Sequence, residues 1–113
     1  NESMNSGCAV VASHLIGSAP YLLKNNENGI IYQSQNVNML YEKVKYLLDN
    51  PKEQRIYGES AYYTITEMWN GENAAERFIN LLNSVLNKTD SFELYETGPC
   101  SKAEIVKETL NGE

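Results

Sequence analysis

The sequence predicts an α/β fold in which short parallel strands are followed by several helices, and three observations predict it. Residues 8–12, Cys-Ala-Val-Val-Ala, form an unbroken apolar run between Gly7 and Ser13, the pattern of a strand covered on both faces as in a parallel sheet. A second, β-branched run from Gly29 to Tyr32 follows after a short helical segment; strand, helix and strand so close together make a βαβ-like unit with parallel strands and a right-handed crossover. Beyond Asn36 the apolar residues recur at helical spacing in long windows, with no further strand pattern between them.

Taken in order, Gly7 ends a polar, helix-tolerant opening segment, since glycine reaches the left-handed conformation without a Cβ clash. Glu2 therefore sits on a helix that leads into the first strand. His14 to Leu23 reads as a loop entering a short helix, with Gly17 or Ser18 at the N-cap and Pro20 in the first turn, where its missing N–H is harmless. Lys24 to Gly29 is a polar turn cluster. Asn36 caps a helix whose Val37, Leu40, Tyr41, Val44, Leu47 and Leu48 make one apolar face. Asp49-Asn50-Pro51 stops it and starts another, running to about Met68. Gly58 inside this helix lowers its propensity by about 1 kcal/mol relative to alanine, so the position calls for close packing of a neighbour. Trp69-Asn70-Gly71 breaks the pattern, and Asn70 caps a last strong helix with a stripe of Ala75, Phe78, Ile79, Leu82, Val85 and Leu86. An aromatic at Trp69 reads as core, with sugar stacking as the minority alternative. Asp90 to Pro99 reads as a linker, and Ser101 to Glu104 as a capping box for a short helix through Ile105, Val106 and Leu110.

The 113 residues are the length of one domain, and a chain without an initiator methionine is expected to be a piece of a longer protein. Hydrophobic residues make up 42% and charged residues 21%, which places it among globular proteins rather than disordered ones. Nine basic residues against fifteen acidic ones leave a net charge of −6, which argues against nucleic acid or an anionic membrane as a partner. No apolar run approaches the roughly 20 residues of a membrane span, and no leader pattern opens the chain, so a cytoplasmic location is expected. Cys8 and Cys100 lack metal-ligand spacing and are expected as reduced thiols; no metal site is predicted. A Ser-His-Asp or Cys-His constellation, a phosphate-binding Walker loop and a G-x-G-x-x-G motif are all absent.

Glu2-Ser-Met-Asn-Ser-Gly-Cys-Ala-Val-Val-Ala-Ser13 resembles, without a gap, the "E-A-M-x-S-G-C-P-V-V-A-S" end of the Glu-x7-Glu motif in retaining, GT4-like glycosyltransferases of GT-B fold. Three further stretches carry the resemblance: Gly17-Ser18-Ala-Pro20 against "G-G-x-P-E-L-I", Asn26-Glu-Asn-Gly29 against "D-G-x-N-G-x-L", and Tyr57-Gly58-Glu59-Ser60-Ala61 against "L-G-E-x-A". Ser18 replaces the second glycine and Tyr21 the glutamate of the first of these. Residues 1–86 are thus expected to be part of a Rossmann-like, donor-binding domain, the C-terminal half of a GT-B C-terminal domain; residues 87–113 are expected as a linker and a short C-terminal helix.

The resemblance implies transfer of a glycosyl unit from a nucleotide-sugar donor, with retention, to a glycan or lipid-linked acceptor carried by an N-terminal domain outside this chain. Polysaccharide biosynthesis is the implied setting, without a cofactor or a bound metal. By position, Glu2 takes the role of the glutamate that hydrogen-bonds the donor ribose. A carboxylate suits that task because it can accept from two vicinal hydroxyls at once. His14, Gly17 and Ser18 are candidates for a donor-pocket loop, lying where open α/β sheets bind ligands. No catalytic residue is expected in this segment, and the segment alone is expected to be inactive. The competing expectation, from the long helices between Asn36 and Leu86, is a non-catalytic helical interaction module.

Overall fold

The computed structural model describes residues 1–87, 95–103, 105 and 108. The elements run α1 (Glu2–Asn5), β1 (Val11–Ser13), α2 (Ala19–Leu22), β2 (Ile30–Tyr32), α3 (Val37–Asp49), α4 (Pro51–Tyr63), a π-helical turn (Thr64–Met68) and α5 (Gly71–Leu86). β1 and β2 are parallel, with Val11, Ala12 and Ser13 opposite Ile30, Ile31 and Tyr32. The chain is therefore α/β, a short parallel sheet accompanied by helices, as the run pattern predicts.

The strand begins later than the apolar run. Gly7, at φ 69°, closes α1 with a paired motif in which its N–H donates to the Met4 carbonyl at 2.9 Å and the Cys8 N–H to the Ser3 carbonyl at 3.0 Å. The Cys8 amide is thereby spent on capping a helix and is lost to the sheet. Cys8 is exposed, not part of a buried strand, and only Ala12 of β1 is buried.

Side chains alternate across the sheet with the period of two that a pleated strand imposes. Val10, Ala12 and Ile31 pack with Met4, Ala19, Leu23, Ala61 and Ile65 on one face. Ala9 and Val11 pack with Ile30, Leu47 and Tyr57 on the other. α4 serves both clusters through Ala61 and Tyr57. This is possible because Gly58 lies flush on the loop before β1, where a Cβ would collide with the Gly7 carbonyl oxygen. The close approach that the sequence calls for at Gly58 is present.

Asn36 and Asn70 cap α3 and α5 as predicted, accepting from the N–H groups of Met39 at 2.9 Å and Asn73 at 2.7 Å. Ser18 occupies the N-cap of α2 but makes no side-chain capping bond. The helix predicted to run to Met68 changes at Thr64 into a wider π turn. Two threonines there bond back along the helix, Thr64 to the Ser60 carbonyl and Thr66 to the Tyr62 carbonyl, a habit that loosens and bends helices.

The apolar faces predicted for the long helices are only partly covered. α3 buries Leu47 alone, and α5 buries no residue. Phe78 is 54% exposed and Leu86 75%. Most of the helix predicted after Ser101 lies outside the described residues; Tyr95 and Ser101 are joined by an isolated bridge. No helix among the described residues is long and apolar enough to cross a membrane.

Candidate functional site

Glu2 stands in the first turn of α1, and α1 packs against α4 and the π turn through the buried Met4. The packing opens a cleft of about 500 Å³ between Asn1, Glu2 and Asn5 on one side and Ile65, Thr66 and Asn70 on the other. The π turn makes the far wall. Its geometry sends Ile65 and Thr66 toward Glu2 while Thr64, Glu67 and Met68 line a different cleft beside α2.

The carboxylate of Glu2 is exposed and, among the described residues, makes no hydrogen bond or ion pair; the ion pair found there joins Lys45 to Asp49. Its two oxygens are free to accept. Asn70, across the cleft, is held at both ends of its amide, since its Nδ2 donates to the Thr66 carbonyl at 2.7 Å while its Oδ1 accepts from the Asn73 N–H and caps α5. The far wall is thus rigid and the near wall carries an unused double acceptor, which suits a ligand offering paired hydroxyls.

His14 stands beyond β1, its N–H donating to the Tyr32 carbonyl at 3.0 Å. Its ring is a tether. The Ser34 N–H donates to Nδ1 at 3.0 Å, which leaves the ring proton on Nε2, and Nε2 donates to the Glu108 carbonyl at 2.9 Å. The Gln33 amide reaches the same carbonyl at 3.2 Å. His14 therefore joins the segments that leave both strands to the C-terminal part of the chain. Gly17 and Ser18 are exposed on the following turn, and the cleft at Glu2 includes no residue from 14–18.

Ile65, Thr66 and Asn70 are the part of the Glu2 cleft that sequence reasoning missed. Asn70 reads as a cap, which it is, Ile65 is buried in the core, and the π turn that brings them beside Glu2 has no motif of its own. No group of three or more His, Cys, Asp or Glu residues that could hold a metal occurs among the described residues. The Tyr57 phenol is pushed above its ordinary range by burial, helped by the neighbouring Tyr46 and Glu53.

Residues 1–64 match the family model of the glycosyl transferases, group 1. The chain belongs to this family. The match takes in Glu2, both strands and the whole of α4. Over 83 residues the group 1 chain is also 29% identical to the poly(ribitol-phosphate) alpha-N-acetylglucosaminyltransferase of Staphylococcus aureus (strain COL), an alignment covering 74% of this chain and 17% of that protein. The chain spans under a fifth of the length of that curated relative. No solved structure matches it. The α/β architecture with a parallel sheet agrees with a partial Rossmann-like domain of GT-B type.

Proposed function

We propose that this chain holds the nucleotide part of a nucleotide-sugar donor, and that the protein it serves transfers the sugar with retention to a glycan or lipid-linked acceptor in the cytoplasm. The observation that carries the reading is Glu2: within the family-matched segment, its carboxylate faces a cleft and keeps both oxygens unengaged by the described residues. Those oxygens accept from the two ribose hydroxyls, and the Met4 anchor under α1 holds the carboxylate in place for them.

In this reading Glu2 orients the donor and is neither acid nor base. Its contribution is positional, fixing the nucleotide so that the scissile bond is presented in one geometry. Stabilisation of the departing diphosphate supplies the larger share of the barrier reduction, and that charge is met by groups outside the Glu2 cleft, whose lining carries no basic side chain. No cofactor or metal enters. The staphylococcal relative's name makes N-acetylglucosamine the first donor sugar to try and a polyol-phosphate polymer the first acceptor.

Steady-state kinetics at varied donor concentration tests the assignment in the intact protein. Glu2→Ala removes a charge-assisted bond worth roughly 1.5–3 kcal/mol, so the donor KM is expected to rise about 10- to 150-fold. Glu2→Gln retains one accepting oxygen and is expected to lose less. An unchanged KM and kcat in a folded Glu2→Ala protein would remove the ribose assignment.

A further inference from the structure

The second cleft on the π turn has a different chemistry. It encloses about 460 Å³ between α2, the turn after it and the far side of the π turn, within the roughly 300–1,000 Å³ usual for small-molecule sites. Tyr21, Tyr63 and Trp69 supply aromatic surface, and Glu27 and Glu67 supply carboxylates at its edge. Trp69 packs partly against the core cluster and also lines the cleft.

The frame of this cleft is rigid for reasons independent of any ligand. Asn28, 6% exposed, accepts from the Lys24 N–H at 2.7 Å and donates to the Leu22 carbonyl at 2.9 Å and to Thr64 Oγ1 at 2.8 Å. It ties the α2 side to the π turn. The opposite rim is Thr97 and Gly98, drawn in by Arg77, whose Nη1 donates to the carbonyls of Thr97 at 2.5 Å and Pro99 at 3.4 Å. The guanidinium also lies 4.2 Å from the centre of the Tyr95 ring. Gly98, at φ 86°, has no room for a Cβ beside Met68 and Arg77. A chain segment remote in sequence is thus fastened to complete the wall.

We infer that the cleft between α2 and the π turn is a saccharide-binding site, distinct from the cleft at Glu2, that takes a neutral glycan chain. Aromatic faces cover the apolar C–H face of a pyranose, and carboxylates at the rim accept its hydroxyls by charge-assisted bonds. Two carboxylates face the Lys24 ammonium in the lining and the Arg77 guanidinium behind the rim, so the cleft has no net positive charge to draw an anionic glycan and suits a neutral one. The site does not rest on the donor reading, because it shares no lining residue with the Glu2 cleft.

Trp69 is the only tryptophan in the sequence and reports on the cleft directly. Maltotriose, cellotriose and the N-acetylglucosamine trimer are titrated into the full chain with tryptophan emission as one readout and saturation-transfer NMR of the sugar protons as the other. At least one trimer is expected to give a saturable change at millimolar concentration, with mannitol giving none. Glu67→Ala, at an exposed position, is expected to weaken binding about tenfold, while Trp69→Phe, which keeps the core packing, is expected to abolish most of the saturation transfer. A nucleoside diphosphate is expected not to displace the sugar. Failure of all three trimers to bind, equal binding of mannitol, unchanged affinity in folded Glu67→Ala, or displacement by the nucleoside diphosphate would each overturn the inference.

Discussion

Gly58 shows how one residue can join a helix to a sheet. Its missing side chain lets α4 lie against the Gly7 carbonyl, and the same helix then reaches both hydrophobic clusters through Tyr57 and Ala61. Gly58→Ala would gain about 1 kcal/mol of helix propensity, but overpacking against backbone that has nowhere to move costs about 1–3 kcal/mol, occasionally more. The expected result is net destabilisation, seen as a lower urea midpoint with an unchanged slope, while Glu59→Ala at the exposed neighbouring position stays close to wild type. Gly58 was legible from sequence because a glycine amid helical spacing demands a reason. Cys8 was misread because nothing in an apolar run announces that its first amide caps the helix before it. Glu2 stood out through its motif alone, whereas Thr66 and Ile65 needed the folded chain to bring them beside it.

At the scale of elements, the starts of α3 and α5 were readable, whereas the end of α4 and the burial of the helices were not. Asn36 and Asn70 act through bonds three residues away, so their effect is written locally. The π turn depends on Thr64 bonding at once to the Ser60 carbonyl and to Asn28, thirty-six positions earlier in the chain, and no local window contains that pair. The α4–α3 packing carries its own pH dependence. The Tyr57 hydroxyl is held above its ordinary value of 10.0, so above that pH the unfolded chain loses a proton that the folded chain keeps. The folded state binds more protons there, and its stability must fall as pH rises. Below about pH 10 this group leaves stability unchanged. Thermal melts from pH 8 to 11 are expected to show a decline at the alkaline end that Tyr57→Phe reduces; identical alkaline profiles in the two proteins would contradict the burial argument.

At the scale of the whole molecule, the chain is longer and less covered than a self-contained domain. Its radius of gyration is 16.5 Å, against about 13 Å for a compact chain of this length. α5 accounts for much of the uncovered surface, presenting Phe78, Ile79, Leu82 and Val85 to solvent. A contiguous apolar stripe of this kind favours association, so the isolated chain is expected to sediment as a concentration-dependent mixture, and Leu82→Lys with Val85→Lys to shift it toward monomer. A single monomeric species at all concentrations would show that the stripe is tolerated in water. The chain spans under a fifth of the length of its staphylococcal relative, and under the proposed function Glu2 reads the donor ribose in the intact protein. The most direct test pairs a change in the protein with a change in the ligand. Binding of a nucleotide-sugar donor and of its 2′,3′-dideoxy analogue is measured for the intact protein and for Glu2→Ala. The natural protein is expected to prefer the hydroxylated donor by about tenfold or more, and Glu2→Ala to lose most of that preference. An equal preference in both proteins would contradict the ribose assignment.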